Sequence, residues 1–266
     1  MRLKPVKARD DVKLRDRDAS PPKSAPRGDE RSAAITKHTE RIGELQRVLY
    51  ADARQALLIV LQGRDASGKD GTIRQVFSAV NPQGCQVTSF HVPTDIESRH
   101  DFLWRVHAQV PAHGLIGIFN RSHYEDVLVR RVHQLLPKRA WSARYEQIND
   151  FERMLTAEGV VILKFFLHVS RDEQKRRLTD RLTDRTKNWK FQAGDLDDRA
   201  KWSAYTRAYA DMLRKCSTRD APWFIVPADD KEARNWLIAR TIADALEDMK
   251  LRYPRAPAEV RALTIP

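Results

Sequence analysis

An α/β fold, wound in three layers around a parallel central sheet, is what this sequence predicts, and three observations carry that prediction. Short, almost wholly apolar runs recur from residue 57 onward, amphipathic stretches separate them, and the first run ends in a glycine-rich turn that leads straight into a helical pattern. Apolar runs without polar alternation suit strands covered on both faces. Their alternation with helical periodicity gives parallel strands joined by helical crossovers. In such sheets ligands bind beyond the carboxyl ends of the strands, where the turn falls.

The elements follow in order. Residues 1–34 are rich in Lys, Arg, Asp, Ser and Pro, with Pro21, Pro22 and Pro26 breaking any pattern; a basic tail, disordered or draped over the surface, is expected there. One domain is expected over 35–253, followed by a short tail over 254–266. A helix opens the domain, with Ile42, Leu45, Val48 and Leu49 at helical spacing. Strands are expected at 57–62, 86–91, 115–119, 160–168 and 223–227. Helices are expected near 69–79, 95–109, 122–135, 139–157, 171–185, 197–216 and 231–249. Trp189, Trp202, Trp223 and Trp236 are expected mostly in the core or at interfaces.

Bulk properties narrow the function. The 266 residues carry 48 Lys and Arg against 36 Asp and Glu, a net charge of +12. Such an excess favours a polyanionic partner: nucleic acid, an anionic membrane or a phosphate-rich substrate. Cys85 and Cys216 lie far apart without metal-ligand spacing, so neither a disulfide framework nor a zinc site is expected, and a reducing cytoplasm is. No apolar run approaches the ~20 residues needed to cross a bilayer. The basic N-terminus lacks the apolar core of a secretory signal.

Three clusters carry chemistry. Gly63-Arg-Asp-Ala-Ser-Gly68-Lys69 is most of a phosphate-binding loop. Glycines let successive N–H groups turn inward around an anion, the following helix points its positive end there, and Lys69 adds a mobile charge. Asp70 stands where Ser or Thr usually offers a hydroxyl to magnesium, and Asp65 places a second carboxylate inside the loop. The second cluster, Asn120-Arg-Ser-His-Tyr-Glu-Asp126, follows the third strand. Arg121 offers a fork of donors matched to phosphate oxygens, and Asn120 a carbonyl oxygen for a metal. Ser122 and Glu125 are spaced as a helix capping box, and Asp126 suits a first helical turn on dipole grounds. The third is the basic stretch from Arg171, with Arg177, Arg181 and Arg185 recurring every four residues on one helical face. After a central strand such an excursion can close over a phosphate chain as a lid; the alternative is a solvated helix with weak salt bridges.

The loop Gly63–Gly71 resembles the family 2 polyphosphate kinases. So do Val80-Asn-Pro-Gln-Gly84, Asp101-Phe-Leu-Trp104, Ile118-Phe-Asn-Arg-Ser-His-Tyr-Glu-Asp-Val127, Trp189-Lys-Phe with Gly194-Asp-Leu196, and Ala221-Pro-Trp-Phe-Ile-Val-Pro-Ala228. The likeness covers roughly 38–250, in matching order. It implies a thymidylate-kinase-like, three-layer P-loop kinase fold with a helical lid over 171–195. It also implies transfer of the terminal phosphoryl group between inorganic polyphosphate and a nucleotide, with Mg2+ or Mn2+. By the same resemblance Asp65 organises the metal, Lys69 clamps phosphate, and Arg121 is the essential arginine after the third strand. Asn120 stands where the wider family has a second carboxylate. The Asn-Arg-Ser-x-Tyr-Glu-Asp form resembles the subgroup that accepts both AMP and ADP.

Together these readings make Asp65, Lys69 and Arg121 catalytic, with the metal on Asp65 and Asn120. Gly63, Ala66, Ser67, Gly68, Asp70, Gly71, Asn120, Glu125 and Asp126 bind phosphate or nucleotide. Arg130, Arg131, Arg177, Arg181 and Lys190 line a polyphosphate groove and the lid. The expected partners are inorganic polyphosphate and adenine or guanine nucleotides, with a homodimer or homotetramer and neither a membrane nor a specific nucleic acid. Two alternatives remain: an ATP-dependent nucleoside monophosphate kinase, and a non-enzymatic polyanion-binding protein.

Overall fold

The computed structural model describes residues 2–7, 10–261 and 265. Five parallel strands, β1 (Ala56–Gln62), β2 (Cys85–Ser89), β3 (Ile116–Asn120), β4 (Val160–His168) and β5 (Trp223–Pro227), form one sheet in the order β2-β3-β1-β4-β5. Register fixes the site: Leu61 pairs with Asn120 on one side and with Phe165 on the other, so the carboxyl ends of β1 and β3 finish level. The chain builds outward from β1 to β2, returns through β3, then crosses to β4 on the other side. That reversal opens a crevice at the end of β1.

All seven residues of β1 are buried. Leu57, Ile59 and Leu61 face a core shared with α1 (Gly28–Asp52), α2 (Lys69–Val76) and α9 (Lys231–Asp248). Ala56, Leu58 and Val60 face a second core shared with α3 (Trp104–His107), α4 (Glu125–Val132), α5 (Lys138–Ala157) and α8 (Trp202–Cys216). This strict two-sided burial is why the strand sequences are apolar throughout. After β4 the chain runs through α6 (Arg171–Thr183), an irregular stretch with a 3-10 turn at Asn188–Lys190, and α7 (Gly194–Ala200). A short α10 (Ala258–Arg261) closes the described chain.

The expected elements differ from the observed ones in informative places. The helix expected over 95–109 is broken into a 3-10 turn at Glu97–Arg99 and the single turn of α3. Two local caps interrupt it. Thr94 and Glu97 exchange backbone and side-chain hydrogen bonds at 2.8 and 3.2 Å, and Asp101 Oδ1 accepts the Leu103 and Trp104 N–H groups at 2.9 and 3.1 Å. The stretch 197–216 is two helices, with a break at Lys201. The first helix begins at Gly28, well inside the basic N-terminal stretch, and runs for 25 residues.

Pro5 and Val6 run along the β5 edge. The Val6 N–H donates to Trp223 O at 2.8 Å, and Pro5 forms an antiparallel bridge with Phe224. Ala19 is fully buried, its carbonyl accepting the Asp229 N–H at 3.1 Å. Trp223 and Trp236 are core residues, whereas Trp189 stands 76 % exposed.

Candidate phosphate-binding site

The loop 63–68 leaves β1 and turns tightly enough to demand unusual backbone angles. Gly68 sits at φ +102°, and Ala66 adopts φ +60° although it carries a Cβ. Arg121, at the matching position after β3, also adopts a left-handed φ of +63°. Two non-glycine residues held in that region, in the turns that follow two adjacent strands, mark a place where geometry is imposed by surroundings rather than by local preference. Helix α2 starts at Lys69, so its unpaired N–H groups open into the same crevice. Gly71 lies in that first turn.

The charged groups of the crevice are held partly by one another and partly by backbone and amide groups. Lys69 Nζ folds back to donate to Gly63 O at 2.9 Å and Arg64 O at 3.3 Å. Burial pulls its ammonium down to about 8, and repulsion from Arg121 adds to this. Arg121 Nη2 donates to Asp65 Oδ1 at 2.5 Å. Burial works against the Arg121 charge, but the Glu125 and Asp65 carboxylates outweigh it and hold the guanidinium more firmly protonated than usual. Asp70 Oδ1 accepts from Asn120 Nδ2 at 2.9 Å, and Asp70 Oδ2 meets Lys190 Nζ at 3.3 Å. Although burial opposes it, these two bonds keep the Asp70 carboxyl below the usual range.

Glu125 belongs to this crevice and does not cap its helix. Its Oε1 accepts from Gln62 Nε2 at 3.1 Å, while Ser122 Oγ accepts the Tyr124 N–H at 3.2 Å; the expected capping box is not formed. Burial raises the Glu125 pKa, with Arg121 and Lys69 opposing. Gly63, Arg64, Asp65, Arg121 and Glu125 line a pocket whose far wall is Trp202, Tyr205 and Tyr209 of α8, with Gln174 and Asp198.

The other predicted residues lie elsewhere. Asp126 is buried and paired with Arg144 Nη1 at 2.7 Å and Arg130 Nε at 3.4 Å. Arg131 donates to Asp211 at 2.8 Å and Tyr145 at 3.2 Å and stacks over Trp141. Arg131 thus ties α4 to α5 and α8, while Arg130 bonds within α4. Arg177 is buried behind the loop, donating to the carbonyls of Ala66 and Ser67. Arg181 meets Asp195 at 3.5 Å. One basic helix face therefore divides between a buried clamp and a partly buried ion pair, because α6 packs its Arg177 side against the loop.

Of the two residues expected to hold the metal, Asn120 donates its amide to Asp70 and Asp65 accepts from Arg121. Among the described residues no group of three or more His, Cys, Asp or Glu is arranged to hold a metal ion. A magnesium ion that draws most of its ligands from phosphate oxygens and water needs only one or two protein carboxylates, and Asp65 in the crevice fits that requirement.

Sequence reasoning passed over Arg64, Gln174, the α8 aromatics and Arg234. Arg64 stacks on Trp202 at 3.7 Å and donates to Thr206 Oγ1 at 2.6 Å, fastening the loop to α8. Trp202, Tyr205 and Tyr209 follow an i, i+3, i+7 spacing that reads equally as an ordinary core stripe.

Comparison with known proteins agrees with this geometry. The family model described as polyphosphate kinase 2 matches residues 27–254. The chain is 51 % identical, over 84 % of its length and 83 % of the relative's, to an AMP/ADP-polyphosphate phosphotransferase of Meiothermus ruber. It is 46 % identical to an ADP-polyphosphate phosphotransferase of Rhodopseudomonas palustris, over 86 % of this chain and 84 % of the relative. The crystal structure of a polyphosphate kinase 2 from Arthrobacter aurescens superposes with a TM-score of 0.88 at 39 % identity, covering 98 % of both chains. A phosphate loop at the end of β1, an arginine locked opposite it and a family match across nearly the whole fold lead to one conclusion: this chain belongs to the polyphosphate kinase 2 family.

Proposed function

We propose that this protein transfers the terminal phosphoryl group of inorganic polyphosphate to AMP and ADP, with 35–253 as the catalytic domain and 171–195 as its lid. The observation that carries the reading is the juxtaposition of Lys69, Asp65 and Arg121 at the ends of β1 and β3, together with relatives named for this reaction. Phosphoryl transfer needs little covalent help from protein; in-line positioning and charge neutralisation do most of it. The loop N–H groups, the α2 N-terminus and Lys69 hold polyphosphate oxygens. Arg121 exchanges Asp65 for the phosphoryl group in flight. An oxygen of the acceptor's terminal phosphate attacks the terminal phosphorus of the chain, the P–O–P bridge breaks, and the shortened polymer leaves as an oxyanion. The attacking oxygen is already ionised, so no general base is required.

Magnesium, for which Asp65 is the fitting ligand, supplies further neutralisation of phosphate charge. Lys190 already reaches Asp70 from the 171–195 segment, which supports closure of that segment over the loop. Glu125 and the α8 aromatics border the space beside Arg121, and adenine nucleotides are the acceptors that the relatives' names support. Exposed Val87, Val92, Ile96 and Trp104, on and after the edge strand β2, support assembly into a homodimer or homotetramer. Purified protein given polyphosphate, magnesium and AMP or ADP is expected to yield ADP or ATP. Folded protein that makes neither product would refute the reading.

A further inference from the structure

Two arginines grip the phosphate loop from the side opposite its ligand. Arg177 of α6 is 6 % exposed. Its Nη1 donates to Ala66 O at 3.0 Å and Ser67 O at 3.1 Å, its Nη2 to Ala228 O at 2.7 Å and Asp229 O at 2.9 Å, and its Nε to Glu173 at 2.6 Å. Arg234 of α9 is 2 % exposed. Its Nη1 donates to Ser67 O at 3.1 Å, and its Nε and Nη2 are fixed on Asn235 Oδ1 at 3.2 and 3.0 Å. A Cβ on Gly68 would lie 2.0 Å from Arg234 Nη1, so the glycine is required for this approach as well as for its φ.

A buried guanidinium without a carboxylate is costly. Among the described residues Arg234 has no acidic side chain within ion-pair reach; burial, reinforced by repulsion from Arg177, lowers its pKa to about 10. Geometry gives this charge a use. Across a planar trans peptide the carbonyl and the following N–H point in opposite directions. Drawing Ala66 O and Ser67 O back toward the arginines turns the Ser67 and Gly68 N–H groups to the side away from them; the Ser67 N–H donates to Arg64 O at 3.1 Å within the loop. It also holds Ala66 in its left-handed conformation.

We propose that Arg177 and Arg234 are positioning residues for the transfer, setting the peptide planes of the loop from behind so that its N–H groups meet the polyphosphate; this rests on the function proposed above. A lysine keeps the charge at either position, but its single nitrogen cannot reach the loop carbonyls together with Ala228 O, Asp229 O and Glu173, or hold Asn235 while reaching Ser67.

The test is steady-state kinetics of Arg177→Lys, Arg234→Lys and Asn235→Ala, the last leaving Arg234 charged but unoriented, alongside the unmodified protein. We expect folded variants whose KM for polyphosphate rises at least about fivefold while KM for the nucleotide acceptor stays within about twofold. The thermal stabilisation that tripolyphosphate gives should shrink in parallel. Asn235→Ala carries the test if either arginine variant fails to fold. Variants that melt lower but keep the polyphosphate KM of the unmodified protein would overturn the inference alone. An unmodified protein that transfers nothing would overturn the parent reading and this one with it.

Discussion

Arg121 and Arg131 lie ten residues apart, at either end of the same turn and helix, yet the structure uses them in different ways. Arg121 sits in a strained backbone conformation over a crevice, paired with Asp65, which on the proposed function a phosphate displaces. Arg131 is held by Asp211, Tyr145 and Trp141, all parts of the helical layer. The same contrast separates Lys69, folded onto loop carbonyls, from Arg130, paired with Asp126 one helical turn away. A cation serves chemistry where its partners are exchangeable and the backbone has been bent to present it. It serves structure where those partners are permanent parts of the packing.

The sharpest way to break this contrast is to remove the crevice cations. Lys69→Met and Arg121→Met are expected to lower kcat by about 10²-fold or more, as for other groups that stabilise transition-state charge, with circular dichroism unchanged. Retention of more than a tenth of the rate by either would erase the distinction.

A second effect follows from the buried ammonium. Lys69 of the free protein is pulled down to about 8, so its charged fraction falls as pH rises through that value. Because kcat/KM reports the free enzyme, kcat/KM for polyphosphate should decline above about pH 8, approaching tenfold per unit. In kcat the decline should move to higher pH, because bound phosphate favours the charged form. A Lys69→Arg variant, however slow, should lose the descending limb. A limb that persists in it would assign the titration to another group.

Smaller changes sharpen the boundary. Lys190→Ala removes the one tie from the 171–195 segment to Asp70 and should raise KM for polyphosphate several-fold, more at low than at high ionic strength. Arg131→Ala should leave both KM values alone and cost about 1 kcal/mol of stability, seen as a melting point lower by about 2–4 °C. A kinetic defect in Arg131→Ala, without a change in melting, would place it in the substrate path after all.

Much of the fold was legible because its signals are local and physical. β1 is buried on both faces and therefore apolar throughout, and the glycines and Lys69 that follow it leave few alternatives. The break in the helix expected over 95–109 was not legible, since side-chain caps from Thr94, Glu97 and Asp101 override helical propensity without leaving a periodic trace. At the site, Asp65, Lys69 and Arg121 could be named from motif and position, and the structure brings them together. Glu125 could be named for the site as well, but not that it would leave its cap, and the side Arg177 would take could not be read. S-x-x-E spacing predicts a cap, but buried Gln62 offers Glu125 a partner across the sheet end. A regular arginine stripe says nothing about which member faces protein, because that depends on how α6 docks against the loop.

The most direct test of the central claim is a crystal structure with tripolyphosphate and magnesium bound. The account predicts phosphate oxygens within about 3 Å of Lys69 Nζ and of the Gly68 and Lys69 N–H groups, with Lys69 released from Gly63 O and Arg64 O and Arg121 turned from Asp65 to the phosphate. A polyphosphate lying along Arg130 and Arg131, with Lys69 still folded onto its own loop, would contradict it.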